Sequence, residues 1–226
     1  MTFEAYVNKV KGEAETVWDY EKVRDKIIFK LINTEHNREL LKRVPNRSFC
    51  DLSIVFMVHF GDREKGICTA LILDEHMAFW NVTVDDLYDA AMKNTPRLLP
   101  DTFTGMDEMI RKIFLQEECD ETIEIEAEVE SVPFYVLTNR LGIFGAACLL
   151  YPGVVKKYAN ELNCDLYVLP SSVHETLLLP YDKDLNVDEL REMVQNVNRS
   201  EVALEDRLSG QVYIYQRSED RISIAE

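Results

Sequence analysis

Residues 144–180, FGAACLLYPGVVKKYANELNCDLYVLPSSVHETLLLP, constrain the fold of this chain more than any other stretch. Two dense apolar runs, Ala146–Tyr151 and Leu166–Leu169, are followed by a third at Leu177–Leu179. Apolar runs of this length bounded by Gly, Pro or Ser are the pattern of buried strands. Between the first two, Val154, Val155, Tyr158 and Leu162 recur near helical spacing, with Lys156, Lys157 and Glu161 on the opposite side. The segment therefore predicts strand, helix, strand, a Pro-Ser-Ser turn and a further strand.

Elsewhere the signals are local. Phe3, Tyr6, Val7, Val10, Ala14, Val17 and Trp18 would share one helical face. Arg24–Asn33 fits a helix or a strand, and the alternation of Ile27, Phe29 and Leu31 favours the strand. Thr34 is placed to cap a short helix ending before Pro45. Leu52–Phe60 is a strong strand pattern, and with Ile67–Leu73 it predicts a hairpin. Thr83 and Asp86 form a capping box, with Val82 and Leu87 as a hydrophobic staple, for a helix to about Asn94 that stops before Pro96. Thr104 would cap another helix through about Glu117, and Asn186 with Glu189 a third. Gln211–Ile224 alternates about Ser218-Glu219-Asp220 as a last hairpin. The expected class is α+β, with mixed, mostly antiparallel strands and about five to six helices packed on them. No linker interrupts the chain, so residues 1–226 are expected to form a single domain of two closely packed halves, about 1–116 and 123–226.

Net charge is −16, which disfavours direct binding to nucleic acid or anionic lipid and would steer a basic protein partner inward. No apolar run approaches the roughly 20 residues of a spanning helix, and the N-terminus lacks the apolar centre of a signal peptide. The expected location is cytoplasmic. Five cysteines, Cys50, Cys68, Cys119, Cys148 and Cys164, have no C-x-x-C pair, and buried reduced thiols are expected rather than a disulfide or metal framework.

Chemistry-bearing groups are sparse. Ser172, His174 and Glu175 offer a hydroxyl, an imidazole and a carboxylate in one short segment, the raw material of a hydrolase. There is no nucleophile elbow, and Pro170-Ser171-Ser172 is well explained as a turn. His36, His59, His76 and His174 are scattered without a metal-binding pair, so neither metal nor cofactor is expected. Asn139–Gly142 reads as a turn between core strands rather than a phosphate loop. Glu124, Glu126, Glu128 and Glu130 alternate with Ile123, Ile125, Ala127 and Val129. On a strand these carboxylates would line one face about 7 Å apart, either protecting an edge or binding a basic partner.

Several blocks, taken in order, resemble one family. They are RDKIIFKLINTEHNRELL, the strand Asp51–Phe56, LYDAAMKNTPRLLP, YVLTNRLGIFGAACLLYPG and LYVLPSSVHE. The family is one of uncharacterised Firmicutes proteins catalogued as domain of unknown function 5688. The resemblance spans roughly residues 20–216, leaving 1–19 outside it. It implies one continuous unit in a bacterial or phage-related cytoplasm, and carries no activity, cofactor or catalytic residue. Two functions are compatible with these observations. The first is an acidic, non-enzymatic protein-binding protein of inhibitor or immunity type; the alternative is a hydrolase using Ser172, His174 and Glu175.

Overall fold

A computed structural model describes residues 19–63, 66–106, 108, 133–170 and 172–226. The helix expected over residues 3–18 and the glutamate-bearing strand with Glu124, Glu126, Glu128 and Glu130 lie outside the described residues. The architecture is α+β, and the described residues form two antiparallel sheets of four and six strands.

A short helix α1 (Tyr20–Val23) leads into β1 (Ile27–Asn33), so Arg24–Asn33 is resolved in favour of the strand. α2 (Arg38–Leu41) follows, then β2 (Asn46–Phe49), β3 (Leu52–Arg63) and β4 (Gly66–Leu71). β3 is the spine of the first sheet. β1 runs along one side, while β2 and β4 lie end to end along the other. Side chains alternate across a strand, so Ile27, Phe29 and Leu31 join Leu52, Ile54, Phe56 and Val58 in the main core. Ile28 and Met57, and Ile32 and Val55, fill two smaller clusters on the opposite face. Burial on both faces explains why these strands read as nearly continuous apolar runs.

α3 (Asp74–Trp80) and α4 (Val84–Leu98) follow this sheet. α4 covers the free edge of β1. The Phe29 N–H donates to Thr95 Oγ1 at 3.2 Å, and Asn94 Nδ2 donates to the carbonyls of Arg24 and Ile27. A strand edge left open would be a template for aggregation, and these two side chains close it. Thr95 also donates to the Ala91 carbonyl at 2.6 Å. The helix does not stop before Pro96 as expected. It runs on to Leu98, and the Leu99 N–H still reaches the Thr95 carbonyl.

The second sheet has the order β10-β9-β7-β8-β6-β5. Its members are β5 (Asp101–Gly105), β6 (Tyr135–Asn139), β7 (Leu166–Leu169), β8 (Thr176–Pro180), β9 (Tyr213–Gln216) and β10 (Arg221–Ile224). Leu166, Val168, Leu178, Tyr213 and Tyr215 face the main core, so the two sheets share one apolar cluster. Tyr167, Leu169 and Leu179 face the other way and receive Leu190 and Val194 of α6 (Val187–Ser200). α5 (Val154–Leu162) precedes β7.

Four local expectations are corrected. Thr104 lies in β5 rather than at a helix start, and Thr34 pairs its hydroxyl with Ser53 Oγ at 2.8 Å while Asn37 precedes α2. Ala146–Tyr151 is not a strand, because Gly145–Leu150 winds as a 3-10 helix with Gly145 to Leu149 buried. A segment enclosed on every side carries no periodicity to tell strand from helix. Finally, buried thiols hold for Cys148 but not for Cys50, which is exposed at a positive φ of 51°.

Candidate functional site

The turn from β7 to β8 carries the three residues of the hydrolase alternative. Val173 points into the main core, and its N–H donates to the Asp206 carbonyl at 2.8 Å. Alternation then turns Ser172 and His174 the other way. The His174 N–H donates to Ser172 Oγ at 3.0 Å, a local turn of the kind serine favours. Ser172 is 5% exposed and bridges to Arg207 through the backbone.

The imidazole of His174 is engaged elsewhere. Nε2 lies 3.3 Å from Asp206 Oδ1, and the ring stacks near-parallel to Phe144 at 6.2 Å between centroids. Nδ1 is buried without a hydrogen-bond partner among the described residues. Ser172 Oγ and the His174 ring are therefore not hydrogen-bonded to each other. In the neutral ring, a proton on Nε2 facing Asp206 leaves the Nδ1 lone pair enclosed.

Ser172, His174 and Glu175 are brought together with Glu201 and Asp206 around an open depression of about 500 Å³. Glu201 is the C-cap of α6, and Asp206 ends the 3-10 turn Leu204–Asp206. Neither was marked in the sequence, since both reach the depression only through the path of the chain after α6.

Phe144 and Lys30 are also new to the site. Phe144 has a φ of 57°, an unusual conformation for a bulky side chain, and Lys30 Nζ sits 4.5 Å over its ring. Lys30 interrupts the apolar run Ile27–Ile32, which was its one sequence signal. Burial lowers its pKa, and the Asp206 charge opposes that. Gly145 then lets the chain pass close to the turn. A Cβ there would lie 2.0 Å from Thr138 Oγ1 and 2.3 Å from the His174 carbonyl oxygen.

Other polar groups serve the core. Ser209 and Tyr213 both donate to Asp51, and burial followed by Asp51 raises the Tyr213 pKa. Burial pushes the Cys148 thiol up to about 12, and its Sγ donates to the Thr138 carbonyl at 3.2 Å. Such a thiol is a poor nucleophile. His76 Nδ1 accepts from the Leu73 N–H at 3.0 Å, a helix-start contact. Among the described residues no group of three His, Cys, Asp or Glu could hold a metal ion, and no helix is long and apolar enough to cross a membrane.

No curated protein and no solved structure matches the chain. A family model matches residues 2–217, so the segment before residue 20, left out by the sequence blocks, is included in the match. The chain belongs to the family of unknown function DUF5688.

Proposed function

We propose that this is a non-enzymatic, acidic binding protein of the cytoplasm that recognises a basic protein partner, in the manner of an inhibitor or immunity-type protein. The observation that carries the reading is the depression lined by Glu175, Glu201 and Asp206 together with the single imidazole of His174. A lysine or arginine side chain entering it would meet carboxylates on several sides. In a chain of net charge −16, these groups would also steer a basic surface toward the site. Glu124, Glu126, Glu128 and Glu130 contribute to that net charge. The Ser172 hydroxyl accepts from a backbone amide, which suits a structural turn better than a nucleophile.

The test begins with affinity capture on the purified chain from native cells, with mass spectrometry of what is retained. Association of the captured protein is then measured against salt, for the parent and for Glu175→Gln/Glu201→Gln. The expected result is association slowed by about threefold or more at low salt, with a flatter salt dependence. An association rate indifferent to both salt and substitution would sink the reading.

A second reading, hydrolysis by Ser172, His174 and Glu175, rests on the 3.3 Å approach of His174 to Asp206 inside that open depression. A fluorophosphonate probe that labels the native protein, but not Ser172→Ala, would put this reading in place of the first.

A further inference from the structure

A second cavity, of about 380 Å³, opens at the seam between the sheets, away from the His174 depression. Phe49 of β2 enters it from the first sheet, and Leu150, Pro152 and Ile222 complete an apolar wall. Its size falls within the roughly 300–1,000 Å³ of small-molecule sites, which combine apolar walls with a few placed polar groups.

The polar groups are arranged asymmetrically. Asp220, Tyr215, Lys156 and Arg221 line the cavity. Asp220 Oδ2 accepts from Lys156 Nζ at 2.8 Å, and Oδ1 accepts from the Tyr215 hydroxyl at 2.6 Å. Both oxygens of the one lining carboxylate are thus occupied, and so is the tyrosine proton. Lysine has three N–H donors and arginine five, so Lys156 and Arg221 keep donors to spare. Arg221 meets Glu219 at 2.8 Å, but its side chain is 62% exposed and that pair is weakly held. Lys156, also half-exposed, can share its remaining donors without releasing Asp220, which Tyr215 also holds. The lining therefore offers donors and positive charge beside an apolar wall, in a chain whose overall charge is strongly negative.

We propose that this cavity binds a small amphiphilic anion, an apolar body bearing one carboxylate or phosphate, with the body against Phe49, Leu150 and Ile222 and the head group on Lys156 and Arg221. The inference is independent of the basic-partner reading, which concerns the other end of the β7–β8 region.

The full chain is titrated by calorimetry with octanoate, octyl phosphate, octanol and octyltrimethylammonium, and ¹H–¹⁵N spectra locate the contacts. Either anion should bind at least about tenfold more tightly than octanol, and the cation more weakly than octanol. Lys156→Gln/Arg221→Gln should remove the anion advantage at an unchanged melting temperature. Ile222→Trp, which fills the cavity, should weaken all ligands. The tighter of the two anions identifies the head group. No binding, octanol binding as tightly as both anions, or an anion preference that survives the double substitution would each overturn the proposal. So would spectral shifts confined to residues away from Phe49 and Ile222.

Discussion

Ser209 Oγ donates to Asp51 Oδ2 at 2.6 Å, joining the β2–β3 turn to the strand entry of the second sheet across 158 residues of sequence. The Tyr213 hydroxyl donates to the other oxygen, and Phe49 meets the Tyr213 ring edge-on at 6.2 Å. One carboxylate therefore ties the two sheets together beside their shared apolar cluster. Asp51→Ala leaves two donors without their acceptor and should cost about 2–4 kcal/mol, whereas Asp51→Asn keeps one acceptor and should cost less. Urea unfolding of the three proteins gives the comparison. Equal midpoints for Asp51→Ala and the parent would count against the tie.

Because the core cluster takes residues from both sheets, the two halves should unfold together. Calorimetry of the full chain is expected to give one transition, with Asp51→Ala moving all of it to lower temperature. Two separated transitions, or a folded isolated fragment 131–226, would refute this.

Alkaline pH should expose the buried tyrosines. Burial raises the pKa of Tyr213 and of Tyr151 above the ordinary 10.0, so the folded state keeps protons that the unfolded chain gives up. Where the folded state binds more protons, stability falls as pH rises. The loss begins as pH passes the unfolded value near 10.0 and continues until the folded tyrosines ionise. Tyr213→Phe should reduce that slope, read from urea midpoints below and above pH 10.0. An unchanged slope would show that Tyr213 ionises normally in the folded protein.

Local chemistry was legible wherever the determinant was local. Thr83 and Asp86 make both bonds of the capping box, at 3.2 Å from the Asp86 N–H and 2.8 Å from the Thr83 N–H. Asn186 likewise accepts from the Asp188 N–H at 2.9 Å. Leu52–Phe60 became a strand because its alternation meets two packed faces. The run Ala146–Tyr151 has the sequence pattern of a strand, yet Gly145–Leu150 winds as a 3-10 helix; enclosure on all sides erases the pattern that separates strand from helix. Ser172, His174 and Glu175 could be picked out as neighbours in sequence. Asp206, Glu201, Lys30 and Phe144 could not, since tertiary contact alone brings them to the imidazole or to its aromatic neighbour.

Ser172→Ala removes the acceptor for the His174 N–H in a buried turn and should cost about 1 kcal/mol. Ser172→Thr keeps an acceptor and should cost less if its methyl fits. Ser172→Ala with undiminished stability would show that the hydroxyl does not hold the turn.

The most severe single substitution should be Gly145→Ala. The added methyl would lie 2.3 Å from the His174 carbonyl oxygen and 2.9 Å from the Asn139 N, both backbone atoms that cannot swing aside. Relief requires the 3-10 segment to lift off β6 and the β7–β8 turn, carrying Ala146, Ala147 and Cys148 out of the core they fill. Overpacking of this kind should cost at least about 3 kcal/mol. Gly153→Ala provides the contrast. Its φ is 74°, but the new methyl meets nothing within 4 Å, so backbone strain alone acts, at about 1 kcal/mol. Side-by-side thermal unfolding ranks the two. If Gly145→Ala is no less stable than Gly153→Ala, the 3-10 segment is not seated against the His174 turn.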